Sequence, residues 1–180
     1  TYTHVTPGGT TSTASDTVWA NYQMATYTSN MTRGYYFQAQ SSFTITALMC
    51  AEENNPSATN QSVQVVDFGT TQPASSPSSN VHTSLHYYSG VSGWVNTSIN
   101  VVAGNWYGIV GAKHDAGGTT MYNSYGPAAP LVTIDGQSTT LYRMYYQTSL
   151  ANGPAPSNTC FAGPTSSIGR IHMQVGGSTT

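Results

Sequence analysis

The chain has 180 residues and a mass of 19.0 kDa, and 6% of its residues are charged, against roughly 25% in ordinary soluble domains. Its net charge is -2 and its basic residues, Arg33, Lys113, Arg143 and Arg170, are scattered, so nucleic acid has no basic surface to bind. No apolar run approaches the roughly 20 residues of a membrane-spanning helix, so we predict no membrane span and a single domain with one core.

Hydroxyl side chains take the place of charges, since the chain holds 27 Thr and 22 Ser. A surface without charge repulsion tends to associate, which is an asset for a polymer. The sequence begins at Thr1 with no Met and no apolar leader, as a secreted protein does after signal removal. We therefore expect a secreted protein that lies outside the cell or on its surface.

The first element in chain order is a predicted strand over residues 1–6, with the sequence TYTHVT. The hinge that follows consists of Pro7, Gly8 and Gly9, which cannot continue a strand. We therefore predict two parts, a donor strand with its hinge over residues 1–16 and a single β domain over residues 17–180.

A strand on a flexible tether has unpaired backbone groups and can add to a sheet edge of another molecule. Head-to-tail contacts of this kind need not close, and open contacts make a filament. The predicted donor residues are Tyr2, Thr3, His4, Val5 and Thr6. Tyr2 and Val5 are the anchors on the two faces of this strand.

Apolar and polar residues alternate with period 2 along the rest of the chain, which predicts an all-β domain. In SFTITALMC the residues predicted to share the inner face are Phe43, Ile45, Ala47 and Met49. Later strands have inner residues at the same spacing: Val63 and Val65, Leu85 and Tyr87, Ile99 and Val101, and Ile171, Met173 and Val175. About nine or ten short strands of this kind predict an antiparallel β-sandwich or a jelly-roll-like barrel.

Two segments have more specific patterns. NWYGIVGAK is apolar on both faces, as expected for a central strand covered on each side, and Gly108 and Gly111 allow close packing there. Asp135 and Gly136 accept the positive φ angles of a two-residue type I′ turn, so we predict a hairpin around them.

The chain has two cysteines, Cys50 and Cys160, the number needed for one disulfide in an oxidising compartment. We predict that bond, which would close a loop of about 100 residues and, in the chain-entropy model, stabilise the fold by about 4.7 kcal/mol. Two buried free thiols are the alternative.

A resemblance to a known family rests on four segments: RGYYFQAQSSFTITAL, NQSVQVVDFG, NVVAGNWYGIVGA and IGRIHMQV. Together they are similar to a secreted bacterial β domain of unknown function that is common among proteins with the PEP-CTERM sorting tail. The resemblance covers roughly residues 30 to 175 and implies no catalytic residue. After Val175 the chain has GGSTT in place of that tail. The opening strand resembles the donor strand of filament subunits that polymerise by strand exchange, here from an uncharacterised environmental bacterium.

Candidate catalytic and metal-binding residues lack the spacing that such chemistry needs. His82 and His86 fall on a strand, where residues i and i+4 are roughly 13 Å apart, so we predict surface histidines that share no metal. Lys113, His114 and Asp115 lie at a glycine loop, but no G-x-S-x-G motif supplies a nucleophile. We predict no enzymatic activity and no cofactor.

Tyrosines leave a second function open, because outward rings can bind sugars as well as fill sheet faces or contact another subunit. Adjacent tyrosines in a strand should point to opposite faces. The tyrosines concerned are Tyr35, Tyr36, Tyr87, Tyr88, Tyr142, Tyr145 and Tyr146. We predict a structural filament subunit whose partners are other copies of itself. The alternative is a carbohydrate-binding module that binds surface glycans through a Tyr- and Trp-rich face that includes Trp94.

Overall fold

The computed structural model describes residues 16–51, 55 and 57–177, so the predicted donor strand and hinge lie outside the described residues. The described part of the chain contains sixteen strands and one 3-10 turn, Leu150–Asn152. The strands are β1 (Asp16–Val18), β2 (Ala25–Ser29), β3 (Thr32–Gln38), β4 (Phe43–Cys50), β5 (Asn60–Gly69), β6 (Ser79–Asn80), β7 (Thr83–Val91), β8 (Val95–Val101), β9 (Trp106–His114), β10 (Met121–Ala128), β11 (Leu131–Ile134), β12 (Gln137–Thr140), β13 (Tyr142–Tyr146), β14 (Cys160–Ala162), β15 (Ser167–Gly169) and β16 (Ile171–Gly177).

These strands form an antiparallel β-sandwich, which confirms the predicted fold class. The small sheet has the strand order β1-β16-β4-β8. In the large sheet the central strand β9 pairs with β3, β5 and β10. Beyond β3 the order continues with β13, β14 and β6, and beyond β5 it continues with β7. β10 pairs in addition with β2 and β15. The strands outnumber the nine or ten predicted, because several of them have only two to five residues, too few to show an alternating pattern.

The main core lies between the two sheets, and a second core covers the other face of the large sheet. Tyr35, Phe37 and Ile109 point into the main core, where the inner residues of β4, β8 and β16 meet them. Tyr36 and Val110, one residue further along their strands, point into the second core, which the 3-10 turn covers with Leu150. The central position predicted for NWYGIVGAK is therefore confirmed, because β9 is buried on both faces.

Two predicted inner residues are wrong, and a β-bulge explains each. At Thr46 the register of β4 shifts against both neighbouring strands, so Leu48 and Cys50 point into the main core and Met49 is only half-buried. In β7 the register with β5 skips Leu85, which is 39% exposed. One extra residue reverses the alternation of side chains, and no sequence pattern marks it here.

The predicted hairpin is confirmed. Ile134 pairs with Gln137, and the two residues between them, Asp135 and Gly136, have φ angles of 49° and 73°. These positive angles are those of a type I′ turn, the connection that matches the twist of an antiparallel pair. Ile134 is buried in the main core, so the hairpin closes one end of the sandwich.

The predicted disulfide is wrong, because Cys50 and Cys160 are both buried free cysteines. Cys50 belongs to the main core, and Cys160 belongs to the second core on the opposite face of the large sheet. The large sheet thus separates the two thiols. Desolvation by burial raises the pKa of each thiol from 9.0 to about 12.

We expect both thiols to be inert in the folded protein, since only the thiolate is a nucleophile. Iodoacetamide near neutral pH should label neither cysteine in the native protein and both after unfolding in urea, as measured by mass spectrometry. The contribution of the two thiols to the free energy of unfolding should be constant below pH 9.0 and fall as the pH rises towards about 12, because in that window these thiols ionise in the unfolded chain and stay protonated in the folded one. A gain of two hydrogens on reduction would show a disulfide and contradict this structure.

Close approach of β3 to β9 requires glycine at position 34. A Cβ atom there would lie 1.9 Å from the main-chain oxygen of Ile109 and 2.6 Å from the Cα atom of Val110. Both atoms belong to the backbone of the central strand, so neither can move aside without breaking the sheet. Gly117 serves as the control position, because a Cβ atom there would lie 4.0 Å from its nearest neighbour, a carboxylate oxygen of Asp115.

We expect Gly34→Ala to lower the free energy of unfolding by about 3 kcal/mol or more, at the upper end of overpacking costs. Gly117→Ala should change it by no more than about 0.5 kcal/mol. Urea unfolding of the two variants measures both values. Equal losses in the two proteins would show that the contact at Gly34 does not hold the strands together.

Candidate strand-acceptor edge

Both edges of the small sheet are open within the described part of the chain. β1 pairs only with β16, and β8, at the other end of the sheet, pairs only with β4. β7, which precedes β8 in the chain, is an open edge of the large sheet and contacts β8. The unpaired backbone groups of such edges are where another chain can add as a strand.

The length of β8 suits a strand of six residues. β8 has seven residues, whereas β1 has three. Ile99 and Val101 of β8 point into the main core and are 6% and 2% exposed, so the strand itself is firmly held. A strand added to its outer edge would extend the small sheet beside the open edge of β7.

Exposed apolar side chains flank this edge. Val91 at the end of β7 is 72% exposed, and Val102, just after β8, is 54% exposed. Trp94, in the turn between the two strands, is 37% exposed. Covering apolar surface contributes roughly 25 cal/mol per Å², so these side chains favour a partner over water.

Two buried polar atoms on β7 and β8 have no hydrogen-bond partner in the described part of the chain: Nε2 of His86 and Oγ1 of Thr97. Burial lowers the pKa of His86 from its usual 6.5, because desolvation disfavours the charged imidazolium. A buried polar atom left unpaired costs about 1–3 kcal/mol. Both atoms are inaccessible to solvent, so a strand added at the edge of β8 would not contact them directly.

The edge of β1 offers a second, shorter opening. A groove of about 360 Å³ lies between β1 and β11, and Trp19 and Leu131 on its walls are 57% and 65% exposed. β1 begins at Asp16, the first residue of the described part of the chain. β1 has three described residues and β8 has seven, so within the described part of the chain β8 offers the longer edge.

The predicted surface position of His82 is wrong. Its side chain is 6% exposed, its ring packs edge-on against Phe68 at 6.0 Å, and its Nδ1 lies 3.3 Å from the main-chain oxygen of Asn80. Phe68 belongs to β5, so this contact depends on tertiary structure and no local pattern indicates it. Among the described residues no group of three His, Cys, Asp or Glu side chains could hold a metal ion.

His114 makes a contact that the sequence did not indicate. Its Nε2 lies 2.9 Å from the hydroxyl of Ser62, and its Nδ1 donates to the main-chain oxygen of Asp115 at 2.7 Å. A Ser–His pair is part of a hydrolase triad. Here Ser62 is fully buried, and the carboxylate of Asp115 accepts from the main-chain nitrogen of Thr119 at 3.2 Å. The geometry therefore anchors the turn after β9 and leaves the hydroxyl out of reach of a substrate.

The seven tyrosines do not share an exposed face. Tyr35 and Tyr36 are 0% and 1% exposed, so the prediction of one outward ring is wrong for this pair, because both faces of the large sheet are covered. Tyr87 donates its hydroxyl to the main-chain oxygen of Leu150 at 2.5 Å. Trp94 meets Trp19 edge-on, with ring planes 68° apart. No flat row of rings for stacking a sugar occurs among these residues.

Comparisons with known proteins add no family: no protein-family model, no curated protein and no solved structure matches the chain. No helix in the described part of the chain is long and apolar enough to cross a membrane. The class of protein is therefore defined by the fold itself, an antiparallel β-sandwich whose small sheet has two edges that no described strand covers.

We expect His86→Gln to flatten the dependence of stability on pH. Burial lowers the pKa of His86 below 6.5. The contribution of His86 to the free energy of unfolding is therefore complete above pH 6.5 and is lost as the pH falls through the lowered pKa. Urea unfolding between about pH 7 and about pH 5 measures this loss in both proteins. Every other histidine is kept in the variant, so an unchanged slope would show that His86 is not desolvated.

Proposed function

We propose that this protein is a structural subunit of an extracellular filament, and that residues 1–6 of one copy add as a strand to β8 of the next copy. The observation that carries this proposal is the open seven-residue edge of β8 at the opposite end of the small sheet from β1. The donor segment precedes β1, so donor and acceptor use different surfaces.

This arrangement favours an open chain of subunits. A contact between two different surfaces is heterologous, and it makes a filament wherever the rotation between copies does not close a ring. The tether between the donor strand and β1, residues 7–15, extends by up to about 30 Å at roughly 3.3 Å per residue. That reach is sufficient to enter a neighbouring molecule of this size.

The chemistry of the donor strand suits the acceptor edge. Tyr2 and Val5 offer apolar surface to the exposed side chains around β7 and β8, such as Val91. The backbone groups of the donor strand supply the main-chain hydrogen bonds that an open strand edge lacks. With 6% charged residues, little charge repulsion opposes the contact. This composition also suits the secreted location that the sequence predicts.

Deletion of residues 1–9 should convert the protein into monomers, because the donor strand is removed and the folded domain is kept. Analytical ultracentrifugation and electron microscopy of both proteins measure the assembly. A free peptide with the sequence TYTHVTPGG should bind the deleted protein and shorten filaments of the full chain, and a scrambled peptide should do neither. Filaments that persist after the deletion would overturn the proposal.

The acceptor edge has its own test. Hydrogen exchange of the deleted protein, with and without the peptide, should show new protection at the amides of β8 and little change at β1. Protection at β1 instead would place the contact in the groove beside β11 and overturn the choice of β8. A chimera with the donor strand moved to the carboxyl end should remain monomeric if the strand can complete its own sheet.

A further inference from the structure

Two arginines lie among tyrosine rings on the large sheet, and we call this set the arginine cluster: Arg33, Arg143, Tyr27, Tyr125 and Tyr145. The guanidinium of Arg33 lies 5.0 Å from the ring centroid of Tyr27 and 5.3 Å from that of Tyr145. The guanidinium of Arg143 lies 5.3 Å from the centroid of Tyr125 and 5.4 Å from that of Tyr145. The five residues come from four strands, β2, β3, β10 and β13, so the sheet fixes the cluster.

Both arginines share a single acceptor. Nε of Arg33 and Nη2 of Arg143 each donate to the hydroxyl oxygen of Tyr125 at 3.3 Å. The sheet therefore holds two positive charges close to one neutral oxygen. Like charges at this separation repel, and the repulsion is strongest where water is partly excluded.

No carboxylate neutralises the arginine cluster in the described part of the chain. The other acceptors of Arg33 are neutral: the main-chain oxygens of Thr32 and Tyr146, each at 3.4 Å, and the sulfur of Met31 at 3.5 Å. The described carboxylates lie on other elements: Asp16, Asp67, Asp115 and Asp135. Buried charges are normally paired, so this pair of cations lacks its usual anion.

Arg143 has donors to spare. Its one hydrogen bond is the contact with Tyr125, and its buried Nε has no partner in the described residues. Arg33 is 6% exposed, whereas Arg143 and the three rings are partly exposed to solvent. An incoming anion can therefore reach Arg143 first and face both charges.

We propose that the arginine cluster binds a carboxylate ligand, and that the carboxylate of a uronic acid has the required chemistry. A carboxylate has two acceptor oxygens in one plane, which match the forked donors of a guanidinium. The ring faces are already occupied, since Tyr27 stacks on Tyr125 with ring centroids 5.6 Å apart and Tyr145 stacks on Phe161 at 5.5 Å. The group that meets the ligand is therefore the guanidinium of Arg143. The cluster is on the large sheet and is independent of the acceptor edge at β8.

The probe for this site is a short oligogalacturonate, titrated into the wild-type protein by calorimetry. We expect Arg143→Gln to weaken its binding by about tenfold or more, because a charge-assisted bidentate contact is lost. Lys113→Gln removes the same charge from another part of the protein and should change the affinity by less than about twofold. Equal weakening by the two variants would show binding by net charge alone and overturn the site.

Two further ligands distinguish the chemistry. Neutral dextran oligosaccharides should bind more weakly than oligogalacturonate, and equal binding would overturn a role for the charge. Preference for sulfated dextran over oligogalacturonate would overturn the carboxylate as the recognised group. If the Arg143→Gln variant does not fold, the NMR signal of the Nε–H group of Arg143 in the wild-type protein provides the test instead. That signal should shift on addition of oligogalacturonate, and an unmoved signal would overturn the proposal.

Discussion

Burial of the large sheet on both faces is the constraint on which the rest of the structure depends. The small sheet covers one face and the segment around the 3-10 turn covers the other, so successive residues of β3 and β9 both lie in a core. Within the large sheet β3 approaches β9 so closely that position 34 requires glycine, since a Cβ atom there would strike the central strand. The same constraint buries Tyr35 and Tyr36 together and separates the two cysteines.

A sandwich of this kind leaves strand edges to be managed. Barrels remove edges by closure, and many sandwiches protect them with charged residues. This chain has few charges to place there, and β7 and β8 instead carry exposed valines and unpaired buried polar atoms. An edge with these properties favours addition of another strand. The proposed assembly therefore uses a feature that an ordinary monomeric protein suppresses.

Charge is scarce in this protein, so the placement of the few cations is informative. Arg33 and Arg143 lie in partly buried surroundings with tyrosine rings as neighbours and no carboxylate within reach in the described residues. Aromatic faces offset part of the cost of holding a guanidinium out of water. The aromatic rings do not neutralise the charge of the guanidinium, whereas an anionic ligand would neutralise it. The proposed strand-acceptor edge and the proposed anion site thus lie on separate parts of one sandwich.

The sequence by itself determined what depends on neighbours in the chain. Alternation predicted the all-β class and most inner residues, such as Val63 and Ile99, and the positive φ preference of Asp135-Gly136 predicted the hairpin. It also suggested a donor strand, which stays a prediction. Tertiary structure alone decided the bulges that turned Met49 and Leu85 outward, the free thiols and the arginine cluster. These features depend on strand register and on which face of a sheet is covered, and residues distant in sequence fix both.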